Sequence, residues 1–396
     1  MTMKTPLAWL NLWHNKSRTA VAISGVAFSV LLVFMQLGFL GSVAKTATMN
    51  YEEMDFDIVI RSPEYLQFID MRTIPQQRLR QATMVEDVQS VRPFYSSVQN
   101  YRHPTTGQTR AILCLAIHPG EVVFHDPEIR EQAALLAQPN TLLIDGLTRH
   151  EFGLVAGWQS AQGEDASSFE PEIGDLRMKP VGLYRQGTGM ASKGAVLMGE
   201  ETFKRMLPGL YDGKVSIGLI KLDPGANVGK VVEQLRAELR RSSDTEKKSD
   251  VEVLTRNEAL AVEHRRWVDR TSIGTIFKTG VAMALIVGIA IVYQVLSSDI
   301  DDLMAQYATL KAMGYSNTYL ATIVLQQSAL LAIFGFLPGA VVSWGLYLVI
   351  ASVAYLPIEM PITRLGLVLV LTLVMCALSG LAALQKVQSA DPADLF

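Results

Sequence analysis

Two short motifs in this chain could belong to a serine enzyme. Residues 42–45 read Ser-Val-Ala-Lys, the spacing Ser-x-x-Lys, and residues 278–280 read Lys-Thr-Gly. These are two of the three motifs of penicillin-recognising enzymes, in which a serine attacks an acyl group. The third motif, Ser-Asp-Asn, does not occur between them, and both lie at the ends of apolar segments. The sequence therefore does not favour this chemistry, although Ser42 remains a candidate for a membrane-anchored enzyme.

A second group, His118, Glu121, His125 and Asp126, has side chains that bind metals. Its spacing is not that of a helical His-x-x-x-His pair, and Pro119-Gly120 indicates a loop. A solvated turn is the favoured interpretation, so we assign no metal ligands. His125 remains the second candidate of the enzyme hypothesis. Cys114 and Cys376 lie in different compartments on the topology predicted below, so they form neither a disulfide nor a cysteine-based metal site.

A nucleotide site is also not indicated. The chain lacks the pattern Gly-x-x-x-x-Gly-Lys-Ser/Thr, whose backbone N–H groups cradle phosphates. The glycines of Gly187-Thr188-Gly189 are better explained by a β-turn. We therefore predict no catalytic, cofactor-binding or metal-binding residue in this chain.

The distribution of charged residues along the chain predicts the structural elements that carry these motifs. Four stretches lack Asp, Glu, Lys and Arg: 19–44, 279–298, 312–358 and 365–385. Each has at least about 20 residues, enough to cross a bilayer as a helix. The other segments have the charge density of a soluble domain. With a net charge of −3 and no basic excess, the sequence gives no sign of a nucleic-acid partner.

The predicted fold class is an α-helical membrane protein with four transmembrane helices and a large extracytoplasmic α+β domain between TM1 and TM2. Lys4, Lys16 and Arg18 precede TM1, so the positive-inside rule places both termini in the cytoplasm and the domain outside. The predicted segments are an amphipathic helix on the membrane lipid at 1–18, TM1 at 19–44, the domain with its stalk at 45–270, TM2 at 271–298, a cytoplasmic helix at 299–317, TM3 at 318–350, an outer turn at 351–364, TM4 at 365–385 and a cytoplasmic tail at 386–396.

Within the domain, apolar runs bounded by turn residues predict six strands, at 56–60, 111–117, 141–144, 181–184, 195–198 and 215–220. The clearest unit is 215–254, where a strand, an amphipathic helix at 227–241 and a second strand form a β-α-β module. Thr255 and Glu258 have capping-box spacing. They predict a helix that runs from there through TM2 to Ser298 and stands out of the bilayer as a stalk.

The connection between TM2 and TM3 has the most informative pattern. Ile300, Leu303, Tyr307 and Leu310 recur at helical spacing, and Gly314 stands where a helix C-terminus favours glycine. An apolar helix face in the cytoplasm must be covered by lipid or by a partner protein. The residues alone do not choose between these two.

Several strings resemble the permease subunits of DevC-like ABC exporters, within the MacB/FtsX/LolC group of four-helix permeases. The most specific is Tyr-Ala-Thr-Leu-Lys-Ala-Met-Gly-Tyr at 307–315, after Val-Tyr-Gln-Val-Leu-Ser-Ser-Asp at 292–299. Weaker likenesses occur at 7–12, 56–59, 181–189 and 389–393. One departure is Gln306, where this group has an acidic residue.

The resemblance implies a non-enzymatic transport subunit in a bacterial inner membrane. Its implied partners are a second copy of the chain, a cytoplasmic ABC ATPase that binds ATP and Mg, a periplasmic adaptor (membrane fusion) protein and a TolC-like outer-membrane protein. The ATPase would bind a coupling helix whose contact residues are Ile300, Leu303, Tyr307, Leu310, Lys311, Met313 and Gly314.

For function, the resemblance implies export of a glycolipid or other amphiphile, driven by motion that the ATPase starts and the helices transmit to the domain. The FtsX and LolC branches of the group give the alternative, which is lipoprotein release or regulation of cell-wall hydrolases.

Overall fold

The computed structural model describes residues 16–121, 123–161, 169–241, 249–302, 304, 306, 309 and 313–389. The chain divides into two compact units. The helix unit comprises residues 1–42, 271–353 and 358–396, and the inserted domain comprises residues 43–270 and 354–357. The predicted amphipathic helix at 1–18 and the end of the predicted tail lie almost entirely outside the described residues.

The helix unit contains long apolar helices. These are α1 (Lys16–Glu52), whose last residues belong to the inserted domain, α8 (Ser272–Asp302), α9 (Asn317–Ala354) and α10 (Ile362–Ser389). Among the described residues, four helices are long and apolar enough to cross a membrane: Thr19–Glu52, Ser272–Ser298, Thr318–Ala354 and Ile362–Ala383. They correspond to the four predicted spans, and a mixed α/β domain lies between the first and second, as predicted.

Small residues allow these helices to approach closely. A side chain at Gly339 of α9 would lie 2.8 Å from the carbonyl oxygen of Ala27 in α1. Gly288 of α8 packs against Ser29 of α1 and Met375 of α10. Among the described residues, these close contacts are made between helices of one chain.

The inserted domain is built on a ten-stranded sheet with the order β12-β1-β11-β3-β4-β9-β5-β8, and β6 and β7 attached beside β3. The strands are β1 (Ile58–Arg61), β3 (Val88–Arg102), β4 (Thr109–Ile117), β5 (Thr141–Asp145), β6 (Glu172–Ile173), β7 (Leu176–Arg177), β8 (Lys179–Tyr184), β9 (Ala195–Gly199), β11 (Ile217–Leu222) and β12 (Glu252–Thr255); β2 (Ile74–Pro75) and β10 (Lys214–Val215) form a separate pair. The helices are α2 (Gln76–Ala82), α3 (Pro127–Gln132), α4 (Leu154–Ala161), α5 (Glu200–Met206), α6 (Val228–Arg241) and α7 (Arg256–Arg265), with 3₁₀ turns at Ala133–Ala137 and His150–Phe152.

Both faces of the sheet are covered by apolar cores, because alternate residues of a strand point to opposite faces. Along β4, Cys114 and Ala116 belong to one core, and Leu113 and Leu115 belong to the other. This explains why the central strands read as continuous apolar runs and could be recognised in the sequence.

The predicted β-α-β module is confirmed. β11 and β12 flank β1, and each pairs with it in antiparallel orientation, so they are parallel to each other and joined by α6. The capping box is confirmed as well. Thr255 Oγ1 accepts a hydrogen bond from Glu258 N at 3.1 Å, and Thr255 N donates to Glu258 Oε2 at 2.8 Å.

The predicted unbroken helix from Thr255 to Ser298 is wrong. α7 ends at Arg265, a π-helical turn follows at Arg266–Arg270, and a bend at Thr271 separates it from α8. The charge and helix propensity of this stretch do not indicate a break. At the break, Arg266 makes a tertiary contact with Tyr65, which is described below.

Candidate functional site: the junction cluster of the inserted domain

The structure describes part of the predicted coupling helix. Ile300 is 2% exposed and belongs to the core of the helix unit, so its side chain is not accessible. Met313 is 63% exposed, and Gly314 has φ +91°, the left-handed conformation expected of a glycine after a helix. Leu303, Tyr307, Leu310 and Lys311 lie outside the described residues, so the ATPase contact stays a prediction.

The residues of the enzyme hypothesis have other roles. Ser42 is 1% exposed, and its hydroxyl has no hydrogen-bond partner among the described residues. Lys45 forms an ion pair with Glu52 of the same helix. Among the described residues, no general base is hydrogen-bonded to the Ser42 hydroxyl.

The residues of the predicted turn near His118 make bonds both within this segment and to distant parts of the domain. His118 Nδ1 lies 2.8 Å from Glu200 Oε1, and Asp126 Oδ1 accepts a hydrogen bond from Glu128 N at the start of α3. His125 N donates to the carbonyl of Glu53. Within the ranges that the structure describes, no group of three His, Cys, Asp or Glu residues could hold a metal ion.

A cluster of polar side chains, most of them buried, lies in the part of the inserted domain that follows TM1 and precedes TM2. We call it the junction cluster. Its members are Tyr51 of α1, Arg61 of β1, Tyr65 after β1, Glu252 of β12, Glu263 of α7 and Arg266 of the π-helical turn.

Arg61 is the centre of the junction cluster. Its Nη1 donates to Glu263 Oε1 at 3.1 Å, and its Nε donates to Glu252 Oε2 at 3.0 Å. The side chains of Arg61 and Glu263 are 2% and 0% exposed. A buried ion pair is costly to form and very costly to break by removing one partner, so this bond holds β1 and α7 in one arrangement.

Tyr65 connects the other members. The guanidinium of Arg61 lies over its ring, 4.2 Å from the centroid, and its hydroxyl is 3.3 Å from that of Tyr51. Arg266 Nη1 donates to the carbonyl of Tyr65 at 2.7 Å. The end of α1, the strand β1 and the π-helical turn are therefore linked through one residue.

The electrostatics keep Arg61 charged. Burial alone would lower the pKa of Arg61, but Tyr51, Tyr65, Glu252 and Glu263 around it raise the pKa above its ordinary value. Burial raises the pKa of the Glu263 carboxyl, and the nearby Arg61 opposes that shift. The cluster depends on this compensation, because the fully buried Glu263 would lose its ion-pair partner without Arg61.

A further bond joins the two segments directly. Arg256, the first residue of α7, donates from Nη2 to the carbonyl of Glu52, the last residue of α1, at 2.7 Å. Carbonyls at a helix C-terminus lack partners within the helix, and a cation is favoured there. Arg256 thus caps α1 and fixes its end against the start of α7.

Comparison with known proteins identifies the C-terminal part of the chain. Residues 279–392 match the family described as FtsX-like permease C-terminal. No curated protein sequence matches the chain.

Three solved structures are similar to about half of the chain. The periplasmic region of MacB from Actinobacillus actinomycetemcomitans is 10% identical, with a TM-score of 0.35, over 52% of this chain and 91% of that one. The extracellular domain of the noncanonic ABC-type transporter YknZ from Gram-positive bacteria is 11% identical, with a TM-score of 0.35, over 50% and 100%. A domain of a putative permease from Porphyromonas gingivalis is 15% identical, with a TM-score of 0.33, over 51% and 90%.

At these TM-scores the similarities assign neither a substrate nor a partner to this chain. The family match begins inside α8 and covers the whole of α9 and α10. The chain therefore combines an FtsX-like permease C-terminal region with four candidate spans and a mixed α/β domain between the first two.

Proposed function

We propose that the chain is the membrane subunit of an ABC export system that transmits ATPase-driven motion across the inner membrane to the inserted domain. A cytoplasmic ABC ATPase binds ATP and Mg, and it contacts the predicted coupling helix of each of two copies of the chain. The inserted domain lies in the periplasm, and both termini lie in the cytoplasm. There the domain acts on an adaptor protein and a TolC-like duct, so that a glycolipid or other amphiphile is exported.

The observation that carries the proposal is the junction cluster. α1 has 37 residues and is about 55 Å long at 1.5 Å per residue, although about 20 residues are enough to span a bilayer. Its end is capped by Arg256 and linked through Tyr51 and Tyr65 to the ion pair of Arg61. A helix that is rigidly fixed at its end can pass a displacement to the sheet instead of bending at a loose connection.

ATP-dependent hydrogen exchange tests transmission without knowledge of the substrate. The full chain is co-purified with a cytoplasmic ABC ATPase in lipid nanodiscs. Amide hydrogen exchange is then measured without nucleotide and after addition of ATP and vanadate, which trap the ATPase in a nucleotide-bound state. We expect ATP to change the exchange of amides in β1 and α7. Leu310→Asp places a charge on the predicted coupling face and should abolish this change, and Gly314→Pro should do the same.

Leu210→Asp is the matched control, because Leu210 is a 51% exposed leucine of the inserted domain. It should leave the ATP-dependent change intact. If the Leu310→Asp complex still shows the wild-type change in β1 and α7, the proposed transmission through the coupling helix is wrong.

Co-purification separates export from the lipoprotein or hydrolase alternative. Export requires an adaptor and a TolC-like protein to be retained with the chain after cross-linking in cells. Retention of a lipoprotein carrier or a cell-wall hydrolase in their place would contradict the export part of the proposal and leave the transmission part standing.

A further inference from the structure

The loop between β8 and β9 lies against the last turns of α1 within the inserted domain. We call residues 185–190 the latch loop. Gln186 Nε2 donates to Asn50 Oδ1 at 3.0 Å, and Met190 N donates to Thr46 Oγ1 at 3.0 Å. Thr46 and Asn50 are each 2% exposed and lie four residues apart, so they share one face of the helix. The latch loop therefore satisfies two buried polar side chains of α1.

Two glycines make this approach possible. Gly187 and Gly189 have φ angles of +76° and +55°, which residues other than glycine rarely adopt. A Cβ atom on Gly189 would collide with the hydroxyl of Thr46. The loop thus needs glycine at this position both for its backbone conformation and for its contact with α1.

Asp145, the last residue of β5, holds the latch loop from the other side. Its Oδ2 accepts a hydrogen bond from Gly187 N at 2.8 Å, and its Oδ1 accepts one from Leu147 N at 3.0 Å. Asp145 is 1% exposed. Burial raises its pKa to about 6, although these N–H donors and Arg185 oppose the shift. Burying a carboxylate is unfavourable, and core packing alone gives no reason for an acid here.

We propose that the latch loop fastens the last turns of α1 to the sheet, and that Asp145 is the residue that positions it. The bonds run in series, from Thr46 and Asn50 through the loop to the end of β5. The inference rests on the proposed transmission function, because it names the part of the inserted domain on which a displacement of α1 acts first. It adds a second connection to the sheet, at the β5–β8 side, whereas the junction cluster connects α1 to β1.

Hydrogen exchange of the full chain in nanodiscs without nucleotide tests the latch. Asp145→Asn leaves a single acceptor oxygen, so either Gly187 N or Leu147 N faces an NH₂ group. Thr46→Val removes the acceptor of Met190 N and keeps the side-chain shape. Each variant should raise the exchange of amides in 186–190 and in 46–52 by about tenfold, since a bond to a buried charged or polar group is lost. The double variant should add little, because both changes open the same loop.

The exchange of β4 amides separates positioning from general support. If Asp145 acts as a latch, Asp145→Asn should leave the exchange of β4 amides unchanged. The control Asp212→Asn, at an exposed aspartate, should change the exchange neither of β4 nor of 46–52. Equal acceleration in β4 and in 46–52 would overturn the inference, and so would unchanged exchange in 46–52.

The two proposals fail in different measurements. Absence of any ATP-dependent change in the wild-type complex would refute transmission, while the nucleotide-free experiment would still decide the latch. If the wild-type complex responds to ATP in β5 and Asp145→Asn responds equally, transmission stands and the latch is wrong.

Discussion

The helix unit and the inserted domain are held together by different physical means. In the helix unit, large apolar side chains point outwards, as for Val341 at 67% and Ile276 at 63% exposed, while glycines fill the contacts between helices. In the inserted domain, apolar side chains fill both faces of the sheet, and a buried charged pair lies at one end.

The difference follows from the surroundings of each unit. Lipid is as apolar as leucine, so burying leucine between helices gains little, and close packing of small residues provides the attraction. In water, the burial of apolar area provides most of the stability, and polar groups buried with it must be paired. We therefore expect the helix unit to be sensitive to added volume and the inserted domain to be sensitive to lost charge.

The largest expected effect is on the buried pair of the junction cluster. Arg61→Leu leaves Glu263 buried without its cation, which should lower the free energy of unfolding of the inserted domain by about 3–5 kcal/mol. The measurement is the opening free energy of β1 and β4 amides by hydrogen exchange in the full chain.

The matched control is the ion pair of Lys230 and Glu86, in which Nζ lies 3.6 Å from Oε2. The two side chains are 56% and 73% exposed. Lys230→Met should change the same quantity by less than about 0.5 kcal/mol, because solvent screens exposed ion pairs. A similar loss for both variants would contradict the special role of the buried pair.

Added volume should be the next largest effect, and it concerns the helix unit. Gly339→Leu forces a side chain against the backbone of Ala27 and against Val30. Overpacking of this kind costs about 1–3 kcal/mol. We expect a lower melting temperature and a broader elution profile in detergent.

Gly345 of the same helix is the control, because a Cβ atom there would have nothing within 4 Å among the described residues. Gly345→Leu should behave like the wild type. Equal behaviour of the two leucine variants would show that close helix contact does not stabilise this unit.

The sequence was sufficient for those parts of the fold that depend on local pattern. The four spans follow from stretches without charge, the module at 215–254 from an amphipathic helix between apolar strands, and the start of α7 from Thr255 and Glu258. In each case the deciding residues lie within one or two turns or strands of one another.

The parts that were missed depend on contacts between distant residues. β3, the longest strand at 15 residues, mixes polar and apolar residues without regular alternation and contains Pro93, so neither an apolar run nor a period of two indicates it. Its neighbours are β11 and β4, and Pro93 pairs with Gly218 of β11. Arg61 and Glu263 are 202 residues apart, and nothing near either one predicts the other. The coupling residues have a clear helical pattern, and their contact with a partner protein stays a prediction.

A pH dependence should distinguish the two units further, since Asp145 is a buried acid of the inserted domain. The unfolded chain titrates Asp145 near a pKa of 3.8 and the folded domain near a pKa of about 6. Between these values the folded state binds more protons, so acid stabilises the domain through this group. From pH 7 to pH 5 its contribution to the free energy of unfolding should rise by about 1 kcal/mol.

The comparison of wild type with Asp145→Asn isolates this contribution. Other acids act in the opposite direction: the pKa of Asp55, which burial alone would raise, is held below its ordinary value by Lys221. Such groups are present in both proteins and cancel in the difference. The measurement is the opening free energy of the amides in 186–190, the loop whose Gly187 N bonds to Asp145. A difference between the two proteins that stays constant between pH 7 and pH 5 would contradict the assignment.

The smallest expected effects concern the hydroxyl groups that start one helix in each unit. Thr255 makes a reciprocal capping box with Glu258, whereas Ser316 Oγ accepts a single bond from Tyr319 N at 3.3 Å. Thr255→Ala should cost about 1 kcal/mol, and Ser316→Ala should cost about 0.5 kcal/mol or less. Hydrogen exchange of the first-turn amides of α7 and α9 measures both.

Because α9 has a long apolar face in lipid and α7 is a short polar helix, a cap contributes a larger share of the stability of α7. A larger loss in α9 than in α7 would mean that helix ends limit the stability of the helix unit more than its packing does.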